Sequence, residues 1–226
     1  MKSIGFSGTS TSPGGVDSVK DIVPTAYSAV YESVDAVDNG LATTSGRSQT
    51  GMWGYKNSVA GLDVSIGYNP KNSTAHAGEE TSIGLTYADA GMEGLTINYA
   101  STDSVGTTTA NSGDNEVMKV SYVYGSFTGT VSNSHYDVGT AANDQETSSY
   151  AVSYSVTDEL SITYGSETHE SGTAGDQDAE ITGMSFAYTS GGMTLSGSMK
   201  DGENLVYGTN TVEDREQWTL GASFAF

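Results

Sequence analysis

A serine followed by a histidine, Ser134-His135, is the first pair in this chain that could do covalent chemistry, because an imidazole beside a hydroxyl can serve as its base. The pair fails if it lies in an extended strand, where adjacent side chains point to opposite faces. The other histidines, His76 and His169, fall like His135 at strand ends or in loops, and no zinc motif or phosphate-cradling glycine loop is present. Asp176, Asp178 and Glu180 alternate with Gln177 and Ala179 in the manner of a calcium loop, but Ile181 stands at the sixth position, where an EF-hand needs Gly. Weak Ca2+ binding by acidic loops is the most that this offers, and no cofactor is expected. Asp17, Asp21, Glu32, Asp35 and Asp38 suggest something else, since only Lys20 balances them in their stretch. Carboxylates gathered in one stretch make it strongly negative, which favours cations over anions. Taken singly, each of these acids is better read as facing bulk water or bonding loop backbone.

Composition says what kind of element must position such groups. Hydrophobic residues make up 35% of the 226, below the ~45–50% of an ordinary globular domain. No apolar run approaches the ~20 residues of a transmembrane helix. Cysteine is absent, which excludes disulfides and thiolate metal sites, and the net charge of −20 makes nucleic acid a poor partner. Met1 to Phe6 shows neither an apolar h-region nor a cleavage site, so the sequence reads as mature or truncated, without a signal peptide.

The apolar residues that remain are regularly spaced. Leu62, Val64, Ile66 and Tyr68 alternate with polar or small residues, and so do Leu95, Ile97 and Tyr99, and Tyr150, Val152, Tyr154 and Val156. Period two of this kind predicts half-buried strands. Eleven are expected, near 47–57, 61–70, 80–89, 94–103, 116–125, 127–137, 147–157, 159–169, 179–189, 192–201 and 215–226. In the last, Trp218, Leu220, Ala222, Phe224 and Phe226 share one face, and Trp218, Leu220, Phe224 and Phe226 form the expected membrane-insertion signal. Short and long connections alternate strictly, which puts every long loop at one end of an up-and-down barrel. Most acids fall at that end, among them Glu79, Glu80, Asp103, Asp114, Glu116, Glu146, Glu167, Glu170 and Glu180. Tyrosines gather at both ends of the strands, Tyr68, Tyr99 and Tyr164 toward the loops and Tyr87, Tyr124, Tyr154 and Tyr188 toward the turns, which predicts two interfacial girdles. The inward set is rich in Gly, Ser, Thr and Ala, and that leaves space in the lumen.

Residues 12–46 break the pattern, with Val19, Ile22, Val23, Tyr27, Val30, Tyr31, Val34 and Val37 at three- and four-residue intervals that suit short helical turns. The Phe-terminated last strand, the short-long alternation and this long loop before Arg47 together resemble the general porins of Gram-negative bacteria, most closely the alphaproteobacterial type. The resemblance spans residues 12–226. It implies an all-β, transmembrane antiparallel up-and-down β-barrel, of whose sixteen strands this chain supplies eleven or twelve as the C-terminal portion. It divides the single domain into a residual strand at 1–11, a constriction loop at 12–46 and an eleven-stranded barrel portion at 47–226. It makes Asp17, Asp21, Glu32, Asp35 and Asp38 the pore constriction, and sets inward charges Arg47, Lys56, Asp63, Lys119 and Arg215 on the pore wall. The function implied is passive diffusion of small hydrophilic solutes and ions, with modest cation preference and no catalysis. Outer-membrane lipid and lipopolysaccharide are the implied surroundings, and a homotrimer the implied assembly when full length. The rival is a smaller, complete outer-membrane barrel acting as an adhesin or structural protein.

Overall fold

Alternation sorts the side chains of this chain before any tertiary contact forms, and the sheet is built on it. The computed structural model describes residues 3–7, 52–70, 79–105, 112–138, 144–173, 175–205 and 214–225. Within them lie β1 (Ser3–Ser7), β2 (Met52–Val59), β3 (Leu62–Asn69), β4 (Glu79–Ala88), β5 (Leu95–Val105) and β6 (Gly113–Tyr124). The chain continues through β7 (Phe127–Val138), β8 (Gln145–Ser155), β9 (Leu160–Ser171), β10 (Ala179–Ser190), β11 (Met193–Glu203) and β12 (Arg215–Phe224). All join one sheet in chain order, each antiparallel to its neighbours. This is the up-and-down order that the alternation of connections predicts. β1 falls within the residual strand expected at 1–11. The strand expected at 47–57 is described from Met52, and Arg47 lies outside the described residues. The expected loop at 12–46, with its five acids, and Phe226 also lie outside them.

Tight turns close one end. Ala60 and Gly61, both at positive φ (52° and 83°), link β2 to β3 in the left-handed geometry that matches strand twist. At the next hairpin Gly94, at φ 83°, passes so close to β6 that a Cβ there would lie 2.5 Å from the Val123 carbonyl oxygen. The Val123 amide donates to the Gly94 carbonyl at 2.9 Å, so this glycine fastens the turn to the neighbouring strand.

Register fixes the two faces. Leu85, Tyr99, Met118 and Asn133 are successive cross-strand partners on the outward face, and Gly84, Ala100, Val117 and Ser134 on the inward one. Many outward residues are large and exposed, among them Tyr122, Val131, Val152, Ile162, Met184, Met199, Trp218 and Leu220. Inward residues are small and buried, including Ala100, Ala151, Ala179, Thr130 and Thr163. Their hydroxyls stitch the inner wall, Ser121 to Thr130 at 3.0 Å, Ser153 to Thr163 at 2.8 Å and Ser198 to Thr219 at 2.7 Å. A globular protein hides its large apolar groups and shows its polar ones. Here the arrangement is reversed, as it must be where the outer solvent is hydrocarbon.

Among the described residues no ladder joins β1 to β12, so the sheet ends in two edges. β12 is exposed along its whole length.

Candidate functional site: the inward wall

Alternation places Lys56, Asp63, Lys119 and Arg215 on the inward face, as the sequence predicts. Lys56 stands opposite Ser65, Asp63 opposite Thr86, Lys119 between Asn98 and Ser132, and Arg215 opposite Gly202. Lys56 and Asp63 come together at a hollow of about 270 Å³ lined also by Ser58, Ser65, Gly84 and Thr86. The Ser58 hydroxyl donates to the Asp63 carboxylate there. Lys119 and Arg215 belong to other parts of the wall, and register does not bring the four to one point.

Four further inward residues escape a reading that looks for charges near the middle of strands. Glu80 is buried on β4, on the same side as Ser82 and Gly84. Lys200 on β11 lies opposite Gly183 and Gln217. On β9, Glu167 and His169 are two residues apart and therefore on one face, with Glu167 Oε1 2.7 Å from His169 Nε2. These two atoms are near without hydrogen-bond alignment, so the contact is an ion-pair contact that holds when the imidazole is protonated. His169 Nδ1 lies 3.0 Å from Thr147 Oγ1. The signal for all of them was parity: each shares it with the small polar residues of its own strand.

Ser134 and His135 sit on opposite faces, Ser134 buried inward and His135 exposed outward opposite Glu116 and Glu146. No nucleophile-base pair forms from them.

The outward face changes character toward the loops. On β6 the outward residues Met118, Val120, Tyr122 and Tyr124 are apolar, and beyond them on the same face come Glu116 and Asp114. Directly across from Asp114 stand Asp103 on β5 and Asp137 on β7, both outward. Like charges directly opposite are unfavourable. The Asp114 carboxyl is accordingly raised above the usual range, first by partial burial and then by Asp103, Asp137 and Glu116. Glu146 faces Glu170, Glu180 faces Glu203 and Asp201 faces Glu216, so the acidic rim continues across the sheet. Hydrogen bonds from Tyr99 to Glu116 (3.0 Å) and from Asn133 to Glu146 (2.9 Å) tie that rim to the residues beneath it. The predicted tyrosines all lie on the outward face, in rows at both edges of the apolar belt, with Phe127 stacked on Tyr154 at 4.3 Å.

No family model matches the chain, and no curated protein does. Solved structures do. The outer-membrane OmpT of Vibrio cholerae superposes with a TM-score of 0.65 at 16% identity, over 99% of this chain and 77% of that one. The anion-selective porin of Comamonas acidovorans gives 0.61 at 15% identity, over 82% and 62%. A trimer form of the Vibrio OmpT gives 0.60 at 15% identity, over 98% and 76%. The fold is therefore that of the bacterial outer-membrane porins, an all-β, antiparallel, up-and-down wall.

Proposed function

We propose that this chain forms the wall of an outer-membrane diffusion channel for small hydrophilic solutes and ions, with a modest preference for cations. One observation carries the reading: the same sheet has an outward belt of large apolar residues and an inward face of small polar ones. The belt fits hydrocarbon and the inner face fits water, so the natural place of the sheet is between membrane and pore. Likeness to structures called porins supports it.

In this reading residues 12–46 fold into the lumen, and Asp17, Asp21, Glu32, Asp35 and Asp38 narrow it with negative charge. Lys56, Asp63, Lys119 and Arg215, with Arg47, face that loop from the wall. The chain is the C-terminal portion of a sixteen-stranded barrel of the alphaproteobacterial type, and preceding strands close the gap between β1 and β12. The absence of a β1–β12 ladder among the described residues favours this over a complete twelve-stranded adhesin or structural barrel. A trimer form among the similar structures supports assembly as a homotrimer. The channel needs no cofactor and performs no catalysis. Its acidic rim lies at lipopolysaccharide and takes Ca2+ weakly.

Planar-bilayer recording tests the reading directly. Stepwise conductance in KCl, with a reversal potential displaced toward the cation equilibrium value in a salt gradient, is expected. Absence of any conductance by the full-length barrel would overturn the channel, and zero displacement would remove the cation preference alone.

A further inference from the structure

One row of the inward wall is unlike the rest. Ser82 on β4, Thr102 on β5, Asn115 on β6, Tyr136 on β7 and Gln145 on β8 are successive cross-strand partners. All are polar, none is charged, and all point to the lumen side. Five adjacent strands spaced by ~4.8 Å make this a track about 19 Å long. Thr102 and Asn115 are each only 3% exposed. Among the described residues no hydrogen-bond partner reaches the Thr102 hydroxyl, the Asn115 amide nitrogen or the Asn115 amide oxygen. A buried polar atom left unpaired costs ~1–3 kcal/mol, and native proteins keep few of them unless water or a ligand completes them.

From this row we infer that the inward face of β4–β8 is a binding track for neutral, hydroxyl-rich solutes, meaning short sugars, within the channel proposed above. The donor and acceptor inventory selects the chemistry. Asn115 offers two N–H donors and a carbonyl acceptor side by side, and the Thr102 hydroxyl next to it both gives and takes. Neighbouring sugar hydroxyls are matched donor-acceptor units that can satisfy such a pair together. An ion cannot do the same, because a cation leaves the amide donors unpaired and an anion leaves the amide oxygen unpaired. Tyr136, next in the row, adds an aromatic ring against which the C–H face of a sugar can lie, and Gln145 extends the amide chemistry. Glu80, buried on β4 two residues before Ser82, adds a carboxylate acceptor at the loop-side end of the track.

The inference depends on the channel reading, and one experiment separates their failures. The full-length barrel of which this chain is the proposed C-terminal portion is refolded into lipid vesicles, and swelling is followed with maltose and with an oligo(ethylene glycol) of matching hydrodynamic size, beside KCl conductance of the same preparation. Maltose flux is expected to saturate with concentration and to exceed glycol flux at low concentration. Thr102→Val, close in shape, and Asn115→Leu are each expected to cut that preference at least threefold, and Thr102→Ser to retain it. Conductance with maltose flux linear in concentration, or a preference unchanged in both variants, overturns the track and leaves the orphaned groups to water. No KCl conductance by the unaltered full-length barrel overturns the channel and the track with it.

Discussion

At the scale of single residues, position within the pleat decides what a side chain costs. Asp114 is the clearest case, because three outward carboxylates stand around it and its own carboxyl holds its proton to higher pH than usual. A carboxyl whose folded value is raised favours the folded state when protonated, so its contribution is present at low pH and is lost as pH rises through that value. Asp114→Asn is therefore expected to stabilise the folded sheet at pH 7 by less than about 1 kcal/mol, given the screening of an exposed site, and to have no effect near pH 3. Denaturant titration of vesicle-folded protein at the two pH values measures this, and a gain that persists at pH 3 would contradict it. Gly94 is constrained by space as well as by its positive φ, with Val123 closing on it. Gly94→Ala should cost about 1–3 kcal/mol. Gly125→Ala, with a positive φ but open space around it, should cost less in the same unfolding assay.

A strand is a device for presenting two chemistries to two solvents. On β12 Trp218, Leu220 and Phe224 face outward, while Thr219 and Ser223 face inward with their partners on β11. Leu220→Arg should lose about 2–4 kcal/mol if it lies near the bilayer midplane, and the folded fraction recovered in vesicles should fall with it. Thr219→Arg, one residue away, should fold nearly as well as the unaltered chain. Equal recovery of the two variants on heat-shift gels would mean that the faces are wrongly assigned. The belt is roughened at Gly197, where the Phe186 ring takes the place of a side chain and an apolar hollow of about 420 Å³ opens beside Met199 and Trp218.

For the whole molecule, what matters is the field inside the wall. The described inward charges mix signs, with Lys56, Lys119, Lys200 and Arg215 against Asp63, Glu80 and Glu167. The chain carries a net charge of −20, and in the proposed channel these basic residues oppose the acids proposed to favour cations. Replacing Lys119 and Arg215 by Gln together should move the reversal potential further toward the cation value in a salt gradient. An unchanged potential would place both outside the path of the ions.

Strand count, chain order, the two faces and the end that carries the loops were all legible in the residues themselves. Each depends on period two or on turn chemistry, which act over a few residues and leave their mark locally. Parity also placed Lys56, Asp63, Lys119 and Arg215 correctly inward. What it could not supply was register, because which inward residue stands beside which is set by pairing between strands tens of residues apart. Only the folded sheet sets Glu167 with His169 against Thr147, lines up three aspartates on the outer rim, and places Asn115 beside Thr102. The absence of a β1–β12 ladder among the described residues, likewise, is a property of the assembled sheet: every strand carries the same local signal, and nothing in that signal says whether the first and last will meet.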